Sequence, residues 1–210
     1  MRVVKEAEER RNEILDVAED LFGTKGFDQT STKDILDRVG IARGTLYYHF
    51  KSKEDILDGV IDRMTGQLMA SAAQIIKDKQ MPVLQRLTKS ILALNVNTGI
   101  GHEVMLQVHK PQNALMHQKM QEQMLSGIVP LLTDLVQEGM EQGIFHTEYP
   151  TESIEMIMLY ANTMFDAMVE QSKEQKERRI EAFICNTERL LGTESGVLQE
   201  AIMQIFQQQN

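Results

Sequence analysis

Apolar positions recur at helical spacing along most of the chain, and polar residues and glycines divide the stripes into separate elements. Ile14, Leu15, Ala18, Leu21 and Phe22 fall at i, i+1, i+4, i+7 and i+8, one face of a helix that ends near Gly23 to Gly26. Ser31, with Asp34 three residues later, has the spacing of a capping box, and a short helix follows through Ile35, Leu36 and Val39. Gly40 supplies the left-handed residue that stops it. A second short helix covers about Arg43 to His49, before Ser52 and Asp55 repeat the capping-box spacing. Two short helices joined by a tight glycine-containing turn and packed on a longer one describe a helix-turn-helix, whose second helix fits a DNA major groove.

The stripes behind this head are longer. One helix is predicted from Lys53 through Ile56, Leu57, Val60, Ile61, Met64 and Leu68 toward Lys79. Pro82 suits the first turn of the next, with Leu84, Leu87, Ile91, Leu92 and Leu94 inside it. Gly99 and Gly101 interrupt, a short segment runs from Glu103 to His109, and Asn113 to Gln142 is helical again, with Gly127 and Pro130 expected to bend it. Gly143 closes that helix before a loop through Tyr149 and Pro150. Two helices around 153–171 and 175–191 carry Ile154, Ile157, Met158, Ala161, Phe165 and Met168, then Ile180, Phe183, Ile184, Leu190 and Leu191. Their polar link around Lys173 to Lys176 predicts an antiparallel hairpin. Gly192 ends it, and a last amphipathic stretch through Val197, Ile202, Ile205 and Phe206 is expected to pack back on the body. The pattern gives an all-α protein: a three-helix N-terminal head over residues 1–52 and a larger helical domain over 53–210.

Composition agrees and narrows the class. The 210 residues include 4 Pro, 14 Met and no Trp, and 42% are hydrophobic, enough for a real core. The one cysteine, Cys185, cannot form an intramolecular disulfide, and the start Met1-Arg2-Val3-Val4-Lys5-Glu6 runs into charge where a secretory leader turns apolar, so the expected location is cytoplasmic. No window offers the roughly 18 uninterrupted apolar residues of a membrane span. A net charge of −9 argues against a phosphate-binding surface until its distribution is considered. Residues 1 to 55 hold ten basic and twelve acidic side chains, so −7 of the −9 lies beyond them. From Arg38 to Lys53 there are four basic residues and no Asp or Glu. That is a local cationic window on an anionic chain.

The run Ile14-Leu15, Ala18, Leu21-Phe22, Gly26-Phe27, Thr30-Ser31, Ile35, Gly40-Ile41, Arg43-Gly44-Thr45-Leu46-Tyr47, His49-Phe50, Ser52-Lys53-Glu54 resembles, in order and spacing, the tetracycline-repressor (TetR) family of bacterial transcription regulators. The motif likeness covers residues 10 to 60; the remainder is similar in length and helical pattern. Two positions depart from it. Leu36 stands where the family has a small Ala, and Ala42 stands where a Ser caps the recognition helix, a loss of about 1 kcal/mol. The resemblance implies a homodimeric repressor on a palindromic double-stranded DNA operator, paired through the helices around 153–171 and 175–191 and released by a small apolar or amphipathic effector, with no cofactor, no metal and no membrane partner.

Candidate residues follow from chemistry at these positions. Arg43 suits a bidentate contact to guanine, and Tyr47 and Tyr48 suit phosphates or thymine methyls. Gly44 weakens a helix by about 1 kcal/mol relative to Ala, which a close approach to a phosphate or base explains. Thr45 and His49 share the same short helix. Thr30, Ser31 and Thr32 sit at a helix N-terminus that attracts anions, and Lys53 occupies a first turn, where a cation needs a partner; a phosphate would supply one. In the body the resemblance places Met105, His109, Met120, Met124, Tyr160, Met164 and Phe165 around an effector cavity, where thioethers suit an irregular apolar pocket. His102, His109 and His117 lack the spacing of a metal site. Cys185 lies on an apolar stripe as a buried, inert thiol, and no nucleophile and base pair suggests an enzyme. The rival binding reading is a ligand-independent architectural or nucleoid-associated protein of the same fold.

Overall fold

In the computed structural model the described residues are 7–94, 113–167 and 171–207, with backbone alone for 165–167 and 207. They form nine helices and no strand: α1 (Ala7–Lys25), α2 (Thr32–Val39), α3 (Arg43–His49), α4 (Lys53–Lys77), α5 (Val83–Leu94), α6 (Ala114–Glu141), α7 (Pro150–Ala167), α8 (Lys173–Leu191) and α9 (Gln199–Gln207). The segment 95–112, with the expected interruptions at Gly99 and Gly101, His102, Met105, His109 and Pro111, lies outside the described residues.

Packing gives two compact units. The first holds α1 to α3, the N-terminal part of α4 up to Gln67, and α6 up to Gln123; the second holds the rest of α4 and α6 with α5, α7, α8 and α9. The motif boundary expected after residue 52 is therefore not where packing divides the chain. Ile56, Leu57, Val60 and Ile61 of α4 are fully buried in the first unit. A Cβ on Gly59 would meet Leu15 at 3.0 Å and the Phe50 ring at 3.2 Å, so α4 lies close against the head. Arg63 of α4 pairs with Asp16 and Glu19 of α1, and Gln123 of α6 donates to Asp62 at 2.6 Å.

Local signals set the helix ends. Ser31 accepts from the Asp34 amide while the Asp34 carboxylate accepts from the Ser31 amide, and Gly40 ends α2 at φ 74°. Ser52 completes only half of a second box: it accepts from the Asp55 amide, while the Asp55 carboxylate takes the Lys51 amide instead. α6 continues through Pro130. Pro150 opens α7 rather than lying in the preceding loop. The expected polar link at Lys173 to Lys176 is the first turn of α8, because Ser172 and Gln175 form a capping box there.

The second unit is held by one apolar cluster that includes Val83, Leu132, Val136, Phe145, Ile154, Met164, Leu191 and Phe206. Two charged groups are buried in this unit among the described residues. Arg86 of α5, 2% exposed, donates to the Glu138 carboxylate of α6 and to the carbonyls of Ile76 and Met81, both at 3.0 Å. Glu188 is also buried; its Oε1 accepts from the amides of Gly196 and Leu198, both at 2.9 Å, and so ties the loop before α9 to α8.

Candidate nucleic-acid interface and effector cavity

The head sorts its residues by helical phase. Leu46 and Phe50 point inward and are buried with Ile14, Leu15, Phe22 and Ile35. The opposite side of α3 carries Arg43, Gly44, Tyr47 and Tyr48, all exposed, with Tyr48 at 78% and Tyr47 at 42%. The Arg43 guanidinium lies 5.4 Å from the centre of the Tyr47 ring, a cation–π arrangement that holds it on this face. A Cβ on Gly44 would meet nothing within 4 Å, so no contact inside the chain accounts for a glycine in mid-helix. An approach from outside does. Thr45 and His49 are half-buried at the edge of this face. Burial first, then Arg11 and Arg10, push the His49 pKa down, so the ring is neutral at pH 7 and stands edge-on to Tyr48 at 5.0 Å.

The threonines and Lys53 behave differently from expectation. Thr30 is buried, and its hydroxyl donates to the Gly26 carbonyl at 2.7 Å, which removes it from any outside phosphate. The Ser31 hydroxyl donates to Asp34, whose carboxyl lies far below the usual range because Lys25 and then Ser31 bond to it. The N-terminus of α2 thus carries its own anion. Thr32 keeps a half-buried hydroxyl that makes no hydrogen bond among the described residues. Lys53 Nζ donates to the Phe27 carbonyl at 2.9 Å and lies 4.2 Å from the centre of the Phe27 ring. The partner that its first-turn position requires is therefore supplied from within the head; Lys53 fixes the Phe27 loop to α4.

In the second unit, α5 to α9 enclose a cavity of about 160 Å³. Its wall is made chiefly of Leu87, Ile91, Leu125, Ile128, Leu132 and Ile154, with Phe183, Ile202, Ile205 and Phe206 opposite. Of the expected lining residues whose side chains are described, Met124, Met120, Tyr160 and Met164, Met124 lines it; Met124 is the first residue of α6 to fall within the second unit. Met120 is buried in the first unit. Met164 points into the apolar cluster, and Tyr160 is exposed, stacked on Phe183 at 5.9 Å. Met105, His109 and the side chain of Phe165 lie outside the described residues. The lining residues that the sequence reading missed include Asn162 and Thr187. Each had a signal: Ile154, Met158 and Asn162 form one i, i+4 stripe, and Phe183, Thr187 and Leu191 another, each with a polar residue inside an apolar series.

Cys185 is exposed, not buried, because its phase on α8 is opposite to that of Phe183 and Thr187. The His117 ring pairs with Gln121 at 3.1 Å, and the described residues contain no cluster of three His, Cys, Asp or Glu that could hold a metal.

Family models decide the assignment. Residues 14–60 match the model for bacterial regulatory proteins of the tetR family, and residues 93–186 match the tetracyclin repressor-like C-terminal domain. The chain belongs to the TetR family. It is 28% identical over 145 residues to the fatty acid metabolism regulator protein of Bacillus subtilis, covering 67% of this chain and 73% of that one. It is 37% identical over 84 residues to the HTH-type transcriptional repressor KstR2 of Mycolicibacterium smegmatis, covering 40% of each. The TetR fold extends beyond the head: the structure of SmeT, the repressor of the Stenotrophomonas maltophilia multidrug efflux pump SmeDEF, superposes with a TM-score of 0.65 over 89% of this chain and 92% of that one, at 20% identity. Among the described residues no helix of this TetR protein is long and apolar enough to cross a membrane.

Proposed function

We propose that the chain is a transcriptional repressor that binds a palindromic operator as a homodimer and leaves it when a small apolar molecule fills the body cavity. The observation that carries this reading is the outer face of α3. There an arginine, two tyrosines and an unshielded glycine are exposed together, while Leu46 of that helix points inward. Arg43 reads a guanine edge, Tyr48 and Tyr47 contact phosphates or thymine methyls, and Gly44 lets the backbone approach. Thr32, Thr45 and His49 border that footprint.

A single such face reads only half a site. Met156, Leu159 and Tyr160 are exposed together on α7. We assign this face to the homodimer, which spaces the two recognition helices by about 34 Å or a multiple of it. α4 and α6, the helices that run from one unit into the other, carry a coupling of about 1 to 3 kcal/mol between cavity and operator.

Recovery of bound genomic fragments, followed by footprinting, tests this: one or a few short palindromes are expected, whereas broad protection of many unrelated sites favours the architectural alternative. Arg43→Ala with Tyr48→Ala should weaken operator binding by about 2 to 4 kcal/mol, one to three for the bidentate contact and the rest for the tyrosine. Unchanged duplex binding at low salt would remove α3 from the interface.

A further inference from the structure

The cavity wall determines what kind of molecule the protein accepts, a question that deepens the effector reading above and rests on it. No Lys, Arg, His, Asp or Glu is found among the described residues that line the cavity. Two buried charged groups of the same unit are already committed. Arg86 is enclosed by Glu138 and two backbone carbonyls, and Glu188, next in sequence to the lining residue Thr187, accepts from two amides with one oxygen. A carboxylate or phosphate entering the space would lose its water and meet no counter-charge among the described lining residues. An ammonium would likewise lose its water and meet no carboxylate among them.

The polar groups in the wall are Thr88, Asn162 and Thr187. Thr88 donates to the Leu84 carbonyl at 2.9 Å. The other two are different. Thr187 is 5% exposed, and neither its hydroxyl nor the Asn162 amide has a hydrogen-bond partner among the described residues. Polar groups set in an apolar wall normally pair with protein, water or ligand. Asn162, half-buried, and Thr187 lie in the wall of one cavity, on α7 and α8 of the same unit, where a ligand atom can pair with them.

We infer that the cavity selects uncharged ligands: a compact apolar body, about the size of one substituted ring, bearing a single neutral hydrogen-bonding group such as a hydroxyl or carbonyl that pairs with Asn162 and Thr187. The size follows from the volume, since an apolar cavity of about 150 Å³ accommodates benzene. α9 belongs to this site, because Ala201, Ile202, Ile205 and Phe206 form one of its walls.

The test uses the full chain without DNA, so its outcome is independent of whether ligand releases an operator. Binding of four ring compounds of nearly equal size, benzyl alcohol, ethylbenzene, benzoate and benzylammonium, is measured at pH 7 by calorimetry and by thermal shift. Benzyl alcohol and ethylbenzene should bind, and benzoate and benzylammonium should bind at least tenfold more weakly than benzyl alcohol. Thr187→Val and Asn162→Leu should each weaken benzyl alcohol by about fivefold, the share of one neutral hydrogen bond, while leaving ethylbenzene within twofold. Ala161→Phe, which fills the space, should abolish binding of both. Benzoate binding as tightly as benzyl alcohol, no binding of either neutral compound, or equal losses for both in the Thr187 and Asn162 variants would overturn the assignment. The four-compound comparison on the unaltered protein stands even if a variant does not fold. If the neutral ligands bind with this selectivity but leave operator affinity unchanged, the class of ligand holds and the effector reading fails.

Discussion

The head and the body build their sites from the same helical material in opposite ways. In the head, polar groups define the elements: the Ser31 and Asp34 box, Gly40 at its left-handed φ and the Lys53 bridge to Phe27 place two short helices and the longer α1 around a small core. Its proposed DNA-contacting surface is what that core leaves outside, so Arg43 and Tyr48 are exposed and take no part in the core. In the body, apolar stripes define the elements and the site is the space they fail to fill. Leu87, Ile154 and Phe206 line the cavity and are also buried members of the core. Substitutions should therefore separate binding from stability in the head and combine them in the body.

The sharpest test of that contrast is the Arg86 and Glu138 pair inside the body. Glu138→Ala leaves the Arg86 guanidinium buried without its carboxylate, a loss of about 3 to 5 kcal/mol in urea unfolding. Replacing both partners, as Arg86→Met with Glu138→Leu, should recover most of it. The same pair sets an acid limb. Bonds from Arg86 and then Lys79 hold the Glu138 carboxyl down to about 2, against an ordinary value of 4.5. A carboxyl depressed in the folded state stabilises the fold above its unfolded value and loses that contribution as pH falls toward the folded one. Stability should drop between about pH 4.5 and 2, and Glu138→Gln should flatten that limb. An acid limb unchanged in Glu138→Gln would show that other carboxylates govern it.

Asn113 tests whether the first unit depends on a residue far along the chain. Its side chain is fully buried and accepts from the Phe27 amide at 3.0 Å, across a separation of 86 positions. Asn113→Ala leaves that amide in the interior without its acceptor and should cost about 1 to 3 kcal/mol. Because Phe27 also holds Lys53, faster hydrogen exchange in the loop between α1 and α2 should accompany the loss. Unaltered exchange there would mean that the head is complete without α6.

Nearly all of the head was legible in the sequence, because capping boxes, glycine stops and helical phase are local and act within a few residues. What escaped there were choices of partner: Thr30 bonding backward to Gly26, and Lys53 finding a carbonyl 26 positions away instead of a phosphate. In the body the helices were legible to within a turn, apart from Pro150 and the Ser172 cap. The cavity was not. Its lining depends on how five helices rotate against one another, and apolar residues at one spacing look alike whether they face a void or a neighbour. Met164 and Met124 have the same chemistry, yet one fills the core and the other lines the space. Only the polar interruptions at Asn162 and Thr187 carried a local sign.

The smallest expected effect tests whether the head's precision has a deliberate gap. Ala42 occupies the N-cap of α3 with φ −74° and ψ 150°, the extended conformation of a capping residue, yet its side chain makes no cap bond. Only backbone contacts hold this end, with the Ala42 carbonyl accepting from the Thr45 amide at 2.9 Å. Since the backbone geometry is already present, Ala42→Ser adds an acceptor without strain and should raise stability by about 0.5 to 1 kcal/mol. Operator affinity then distinguishes two reasons for the missing cap. If the uncapped amides of α3 receive a phosphate, the serine competes with it, and affinity falls as stability rises. If they face only water, the stiffer helix binds as well or better.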